Sequence, residues 1–118
     1  MNKKFNKGNS KKLYNLFKKY SNDINLEDVK ELLDKDANPN YITEPDNWGI
    51  SYHTFIMACR KDDWLDSVSL LIEYGADVNA QFKDPAAVEV DTPMQWASRH
   101  DEDTQKIQKL LIEKGAKK

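Results

Sequence analysis

Cysteine occurs once in this chain of 118 residues, histidine twice, and glycine and proline four times each. A lone thiol, Cys59, excludes an intramolecular disulfide and gives no sign of an oxidising compartment. Neither His53 nor His100 shares a helix face with Cys59 or an acid at metal-ligand spacing, so no metal site is expected. Asp62, Asp63 and Asp66 lack the alternating spacing of a calcium loop, as do Asp101, Glu102 and Asp103; both groups read as solvated loops. Gly8, Gly49, Gly75 and Gly115 stand too far apart to cradle a phosphate, and no cofactor is expected. No apolar run approaches the ~18–20 residues of a membrane span, and none follows the basic start as in a secretory leader. These absences predict a cytoplasmic protein that does not engage membranes. They leave little material for catalysis: Cys59 follows Ala58 in an apolar stretch and reads as a small buried hydrophobe, with no activating base nearby in sequence.

What the chain does have is a repeated hexapeptide. Leu71-Ile72-Glu73-Tyr74-Gly75-Ala76 recurs as Leu111-Ile112-Glu113-Lys114-Gly115-Ala116, and Leu32-Leu33-Asp34-Lys35-Asp36-Ala37 is a blurred first copy. The copies are 39 and 40 residues apart. A period in this range marks stacked supersecondary units that bury a shared core. Hydrophobic residues make up 39% and charged residues 32%, a polar balance that suits a thin, elongated stack. Charge is uneven along the chain. Residues 1–20 hold seven lysines and no acid, whereas the remainder holds 11 basic and 20 acidic residues, a net of −9 beneath the overall −2.

Apolar spacing places a helix pair in each unit. Residues 1–9 read as a flexible basic leader, after which Ser10 is the expected N-cap of a helix carrying Leu13, Leu16, Phe17 and Tyr20 inward. A second helix starts near Asn25 and buries Val29, Leu32 and Leu33. The pattern restarts from about His53 to Arg60 and from about Asp66 to Tyr74. It restarts again from about Pro93 to Arg99 and from about Thr104 to Lys114, with Gly75 and Gly115 as left-handed stops. Thr92 followed by Pro93 is an N-cap with proline at the first helical position.

The exit segment Gly75-Ala76-Asp77-Val78-Asn79-Ala80 and the entry segment Thr92-Pro93-Met94-Gln95-Trp96-Ala97, in register with the helix pairs, resemble the ankyrin repeat. The middle entry, His53-Thr54-Phe55-Ile56-Met57-Ala58, keeps the apolar and small positions and loses Thr-Pro. The resemblance implies an all-α solenoid of stacked helix-turn-helix units forming a single domain over 10–118, with repeats of about 10–40, 41–80 and 81–118. Ankyrin repeats run ~33 residues, so the excess here enlarges the connecting fingers, Tyr41 to Tyr52 and Phe82 to Asp91.

The resemblance further implies a non-catalytic module that binds a protein partner through a concave face and these long fingers, as an inhibitor or immunity-type protein could. On that basis the candidate binding residues are Trp48, Ile50, Tyr52, Arg60, Lys61, Trp64, Glu89, Asp91, Arg99 and His100. Trp, Tyr and Arg are the types enriched at interface hot spots. For Trp48, Tyr52 and Trp64 a second reading stands open, in which the rings form a local core; Trp96 reads as core between repeats. The −9 body suggests a partner with a basic surface and argues against nucleic acid. The expected state is a monomer. An alternative is a homodimer or self-associating unit through the C-terminal repeat, if no cap covers Trp96, Ile107, Leu110 and Leu111. A small-molecule-binding or catalytic protein using His53, Cys59 or His100 in a groove is the other alternative.

Overall fold

The computed structural model describes residues 4–18, 24–83, 89–99 and 104–117. Helix α1 spans Lys7–Lys18 and begins inside the segment expected to be a leader. Asn6, not Ser10, caps it: the Asn9 N–H donates to Asn6 Oδ1 at 2.8 Å. Ser10 is buried instead, its hydroxyl donating to the Asn6 carbonyl and accepting from the Asn38 N–H, both at 2.8 Å. Leu13, Tyr14 and Phe17 form the buried stripe of α1; the expected fourth member, Tyr20, lies outside the described residues.

Helix α2, Leu26–Asp34, starts where Asn25 accepts from the Glu27 N–H at 2.8 Å, with Glu27 and Asp28 in the favourable first turn. Helix α3 is short, Thr54–Ala58, and all five of its residues are buried. A 3₁₀ turn at Asp62–Trp64 leads into α4, Leu65–Glu73. Helices α5, Pro93–Arg99, and α6, Gln105–Glu113, complete the set. Thr92 caps α5 as expected, accepting from the Gln95 N–H at 3.1 Å.

The repeated hexapeptide proves to be a helix stop. In each copy the alanine N–H donates to the carbonyl of the leucine five residues before it: Ala37 to Leu32, Ala76 to Leu71 and Ala116 to Leu111, all at 2.9 Å. This is the six-to-one bond of a Schellman motif, and it requires a left-handed residue between the partners. Gly75 and Gly115 supply it at φ of +102° and +97°. The blurred copy makes the same turn with Asp36, at φ +69°.

Helices α1, α3 and α5 pack side by side as one row, and α2, α4 and α6 as a second. The core between them holds Phe17, Phe55, Trp64, Val68, Leu71 and Ala97, none more than 1% exposed. Two asparagines join successive turns. Asn40 donates to the Gly75 carbonyl at 3.1 Å and accepts from the Asp77 N–H at 2.9 Å. Asn79 repeats both bonds one unit later, to the Gly115 carbonyl at 3.1 Å and from the Lys117 N–H at 2.8 Å. Each side-chain amide satisfies a donor and an acceptor that the helix stop leaves over.

One expectation fails on geometry and another holds only in part. The stack measures 32 × 32 × 31 Å, so three units are as wide as they are long and the molecule is not elongated. At the C-terminal end Ile107 and Leu111 are fully buried, because the α5–α6 pair closes on α4, whereas Trp96 and Leu110 are half-buried and Ile112 is 47% exposed.

Candidate functional site

Finger 1, residues 41–52, folds as a narrow hairpin closed by an antiparallel bridge between Ile42 and His53. The Thr43 N–H donates to the Tyr52 carbonyl at 2.9 Å, and the Tyr52 N–H to the Thr43 hydroxyl at 2.9 Å. The tip is built around Asp46, whose Oδ1 accepts from the N–H groups of Trp48 and Ile50 at 2.9 and 3.0 Å. The Asp46 N–H donates to the Ile50 carbonyl, and Gly49 turns the chain at φ +76°. At the base, Lys7 of α1 pairs with Glu44 at 2.7 Å. This pair joins the finger to α1 but is solvent-exposed and worth little energy.

The finger sorts its two large rings. Tyr52 is half-buried and stacks on Tyr14 of α1, ring centres 6.2 Å apart and planes 20° apart; it packs as local core. The Trp48 indole remains 81% exposed at the tip. Between finger 1 and the inner helices lies an open groove with a cavity of about 410 Å³. Tyr14, Lys18, Met57, Arg60 and Trp96 line its helical wall, and Glu44, Asp46, Ile50 and Tyr52 line its finger wall. Of the candidate residues, the groove therefore gathers Ile50, Tyr52 and Arg60.

The other candidates disperse. Trp64 is 1% exposed and meets Phe17 edge-on at 5.4 Å, so it is core. Lys61, 7% exposed, lies with its ammonium 5.0 Å from the Trp64 ring centre and is likewise no surface contact. Arg60 lines the groove but also serves the stack: it donates to the Phe17 carbonyl at the end of α1 and, at 2.9 Å, to the Met57 carbonyl. Glu89, Asp91 and Arg99 form a separate cluster at the foot of finger 2, which is closed by a bridge between Phe82 and Asp91. Arg99 reaches Asp91 at 2.9 Å and Glu89 at 3.5 Å, over the Trp96 ring at 5.4 Å. A second cavity of about 490 Å³ adjoins them, with Met94 and Ile112. His100 lies outside the described residues.

Sequence reasoning missed Trp96 as groove wall. It is half-buried and stands 39 residues after Met57, and both directly precede the small residue of their inner helix, Ala58 or Ala97. That shared motif position is the signal. It also missed Asp62, assigned to a solvated loop: its carboxylate accepts from the N–H groups of Lys106 and Ile107 at 3.0 and 2.9 Å, capping α6 from the neighbouring repeat. The Thr104 side chain, which precedes α6, makes no capping bond to it and donates instead to the Ala97 carbonyl.

Of the residues suggested for chemistry, Cys59 and His53 have structural roles. Cys59 is fully buried, and desolvation pushes its thiol far above the ordinary range. His53 occupies the motif position of Thr92 and does its work: Nδ1 accepts from the Ile56 N–H at 3.4 Å. Burial pushes its pKa down to about 4, with Asp77 opposing weakly, so it is neutral at neutral pH. The ring is committed to a helix cap, and the buried thiol stays protonated.

Charge is divided between the two helical rows. No acid occurs in α1, α3 or α5. Glu27, Asp28, Glu31 and Asp34 of α2, Asp66 and Glu73 of α4, and Glu113 of α6 are all on the outer row. The acids carried by helices thus face away from the groove, while Glu44, Asp46, Glu89 and Asp91 lie in the fingers. Among the described residues no helix is long and apolar enough to cross a membrane.

A family profile described as ankyrin repeats, in three copies, matches residues 16–118. No curated protein and no solved structure matches the chain.

Proposed function

The chain belongs to the ankyrin-repeat family, whose members generally mediate protein–protein interaction, and from that premise we propose that it binds a protein partner through finger 1 and the groove beneath it. The observation that carries the reading is Trp48. Its indole is 81% exposed on a tip held by four hydrogen bonds around Asp46, while Tyr52 of the same finger is packed away. A large aromatic on a pre-organised turn loses little entropy on binding, which is the property of a hot-spot anchor.

The mode of action is occupancy. A rigid face of this kind holds a partner or covers its working surface, as an inhibitor or immunity-type protein does, and no bond is made or broken. The monomer is the functional unit in this reading. Affinity capture followed by mass spectrometry tests it, using the wild type beside Trp48→Ala and Ile50→Ser. Loss of the same captured protein in both variants, at unchanged melting temperature, supports the site. Capture at wild-type abundance by both variants overturns it.

A further inference from the structure

We propose that the partner presents to the groove an extended acidic segment carrying one bulky apolar side chain. This rests on the interaction reading above and narrows it to one chemistry. The helical row that forms the groove wall contains no acid. The finger carboxylates nearest the groove are occupied from within: Glu44 by Lys7, and Asp46 by the N–H groups of Trp48 and Ile50. At the foot of finger 2, Asp91 and Glu89 are held by Arg99. Lys7 first, and Lys11 behind it, hold the Glu44 carboxyl below its ordinary range, which sets these two lysines beside finger 1.

Two further lysines stand on that side: Lys18 lines the groove and Lys11 lies near Glu44. Both are exposed, and among the described residues neither forms an ion pair. The carboxylates of α2 and α4 face the other way and repel an acidic chain from the outer row. Such a division orients a partner before it docks. The cavity of about 410 Å³ offers the Met57 thioether and the Trp96 indole as polarisable walls for an apolar side chain. A single nucleic-acid strand suits the groove less well. Tyr14 and Tyr52 stack on each other rather than lie open to bases.

The test is selection of random displayed peptides on the full chain, followed by titration of the enriched peptides. Expected are peptides rich in Asp and Glu around one large apolar residue. Their affinity should fall about tenfold in Lys11→Glu/Lys18→Glu at low salt, with most of that difference lost near ~0.5 M salt. Both lysines are exposed, and a melting temperature measured alongside separates lost binding from lost fold. In Ile50→Ser and Trp96→Ala, binding should fall at every salt concentration.

Enriched peptides that are neutral or basic, yet lost in Ile50→Ser and Trp96→Ala, overturn the acidic preference and leave the groove standing. Peptides indifferent to Trp48→Ala, Ile50→Ser and Trp96→Ala overturn both readings. Tighter binding of a short oligothymidylate than of any enriched peptide overturns the acidic-peptide proposal in favour of nucleic acid.

Discussion

Replacing Asp62 by alanine removes a carboxylate from one repeat that terminates a helix in the next. Its two oxygens accept from Lys106 and Ile107 at 3.0 and 2.9 Å, and the residue preceding α6 makes no side-chain cap of its own. Losing a good N-cap costs about 0.5–2 kcal/mol, and a carboxylate at the positive end of a helix adds about 0.3–1 kcal/mol. Because one group does both jobs, the sum sits near the upper half of the cap range, about 1.5–2 kcal/mol. For a domain of this size 1 kcal/mol moves the melting temperature by about 3–6 °C, so Asp62→Ala should lower it by roughly 5–12 °C. Thermal unfolding followed by circular dichroism measures this, with Asp63→Ala as the control because Asp63 is exposed and equally charged. Hydrogen exchange should show faster amides in α6 than in α2. If Asp62→Ala and Asp63→Ala melt within a degree of each other, the cross-repeat cap contributes nothing and the reasoning fails.

Trp64→Ala should destabilise by about 3–5 kcal/mol in urea titration, as expected for a large ring removed from a packed core; a change under 1 kcal/mol would mean that Trp64 is not core. His53 is neutral in the fold, its pKa held near 4 against an ordinary value of 6.5, so the unfolded chain binds its proton first as pH falls. Its contribution is complete above pH 6.5 and is lost progressively as pH falls towards 4, up to about 3 kcal/mol. His53→Thr, which installs the residue found at the equivalent position 92, should flatten the stability profile between those values relative to wild type. Asp36→Gly should raise stability by about 0.5–1 kcal/mol, since a left-handed conformation strains a residue with a Cβ; no gain in denaturant midpoint would show that Asp36 is held there without cost.

The scaffold was legible because its physics is local. Helix stops depend on glycine at a left-handed position, and the copies at Gly75 and Gly115 set the register of the units from spacing alone. Thr92-Pro93 announced a helix start for the same reason. The site was less legible because its residues are assigned by packing across repeats. Trp64 and Trp48 are the same residue type in similar connecting segments, yet one is wedged against Phe17 of α1 and the other stands at a hairpin tip. Nothing in either local sequence separates them. Asp62 looks like Asp63 until α6 arrives from 44 residues away. Net charge is uninformative in the same way: a sum of −9 does not show that the acids carried by helices all lie on the outer row, where α2 alone holds four.

The most direct measurement is hydroxyl-radical footprinting of the chain in complex with its captured partner. Protection should fall on Trp48, Ile50, Met57 and Trp96, which share finger 1 and the groove, while Leu26 and Tyr74 near the outer row keep their free-state reactivity. Protection confined to Leu26 and Tyr74, with Trp48 and Trp96 as reactive as in the free protein, would contradict the account.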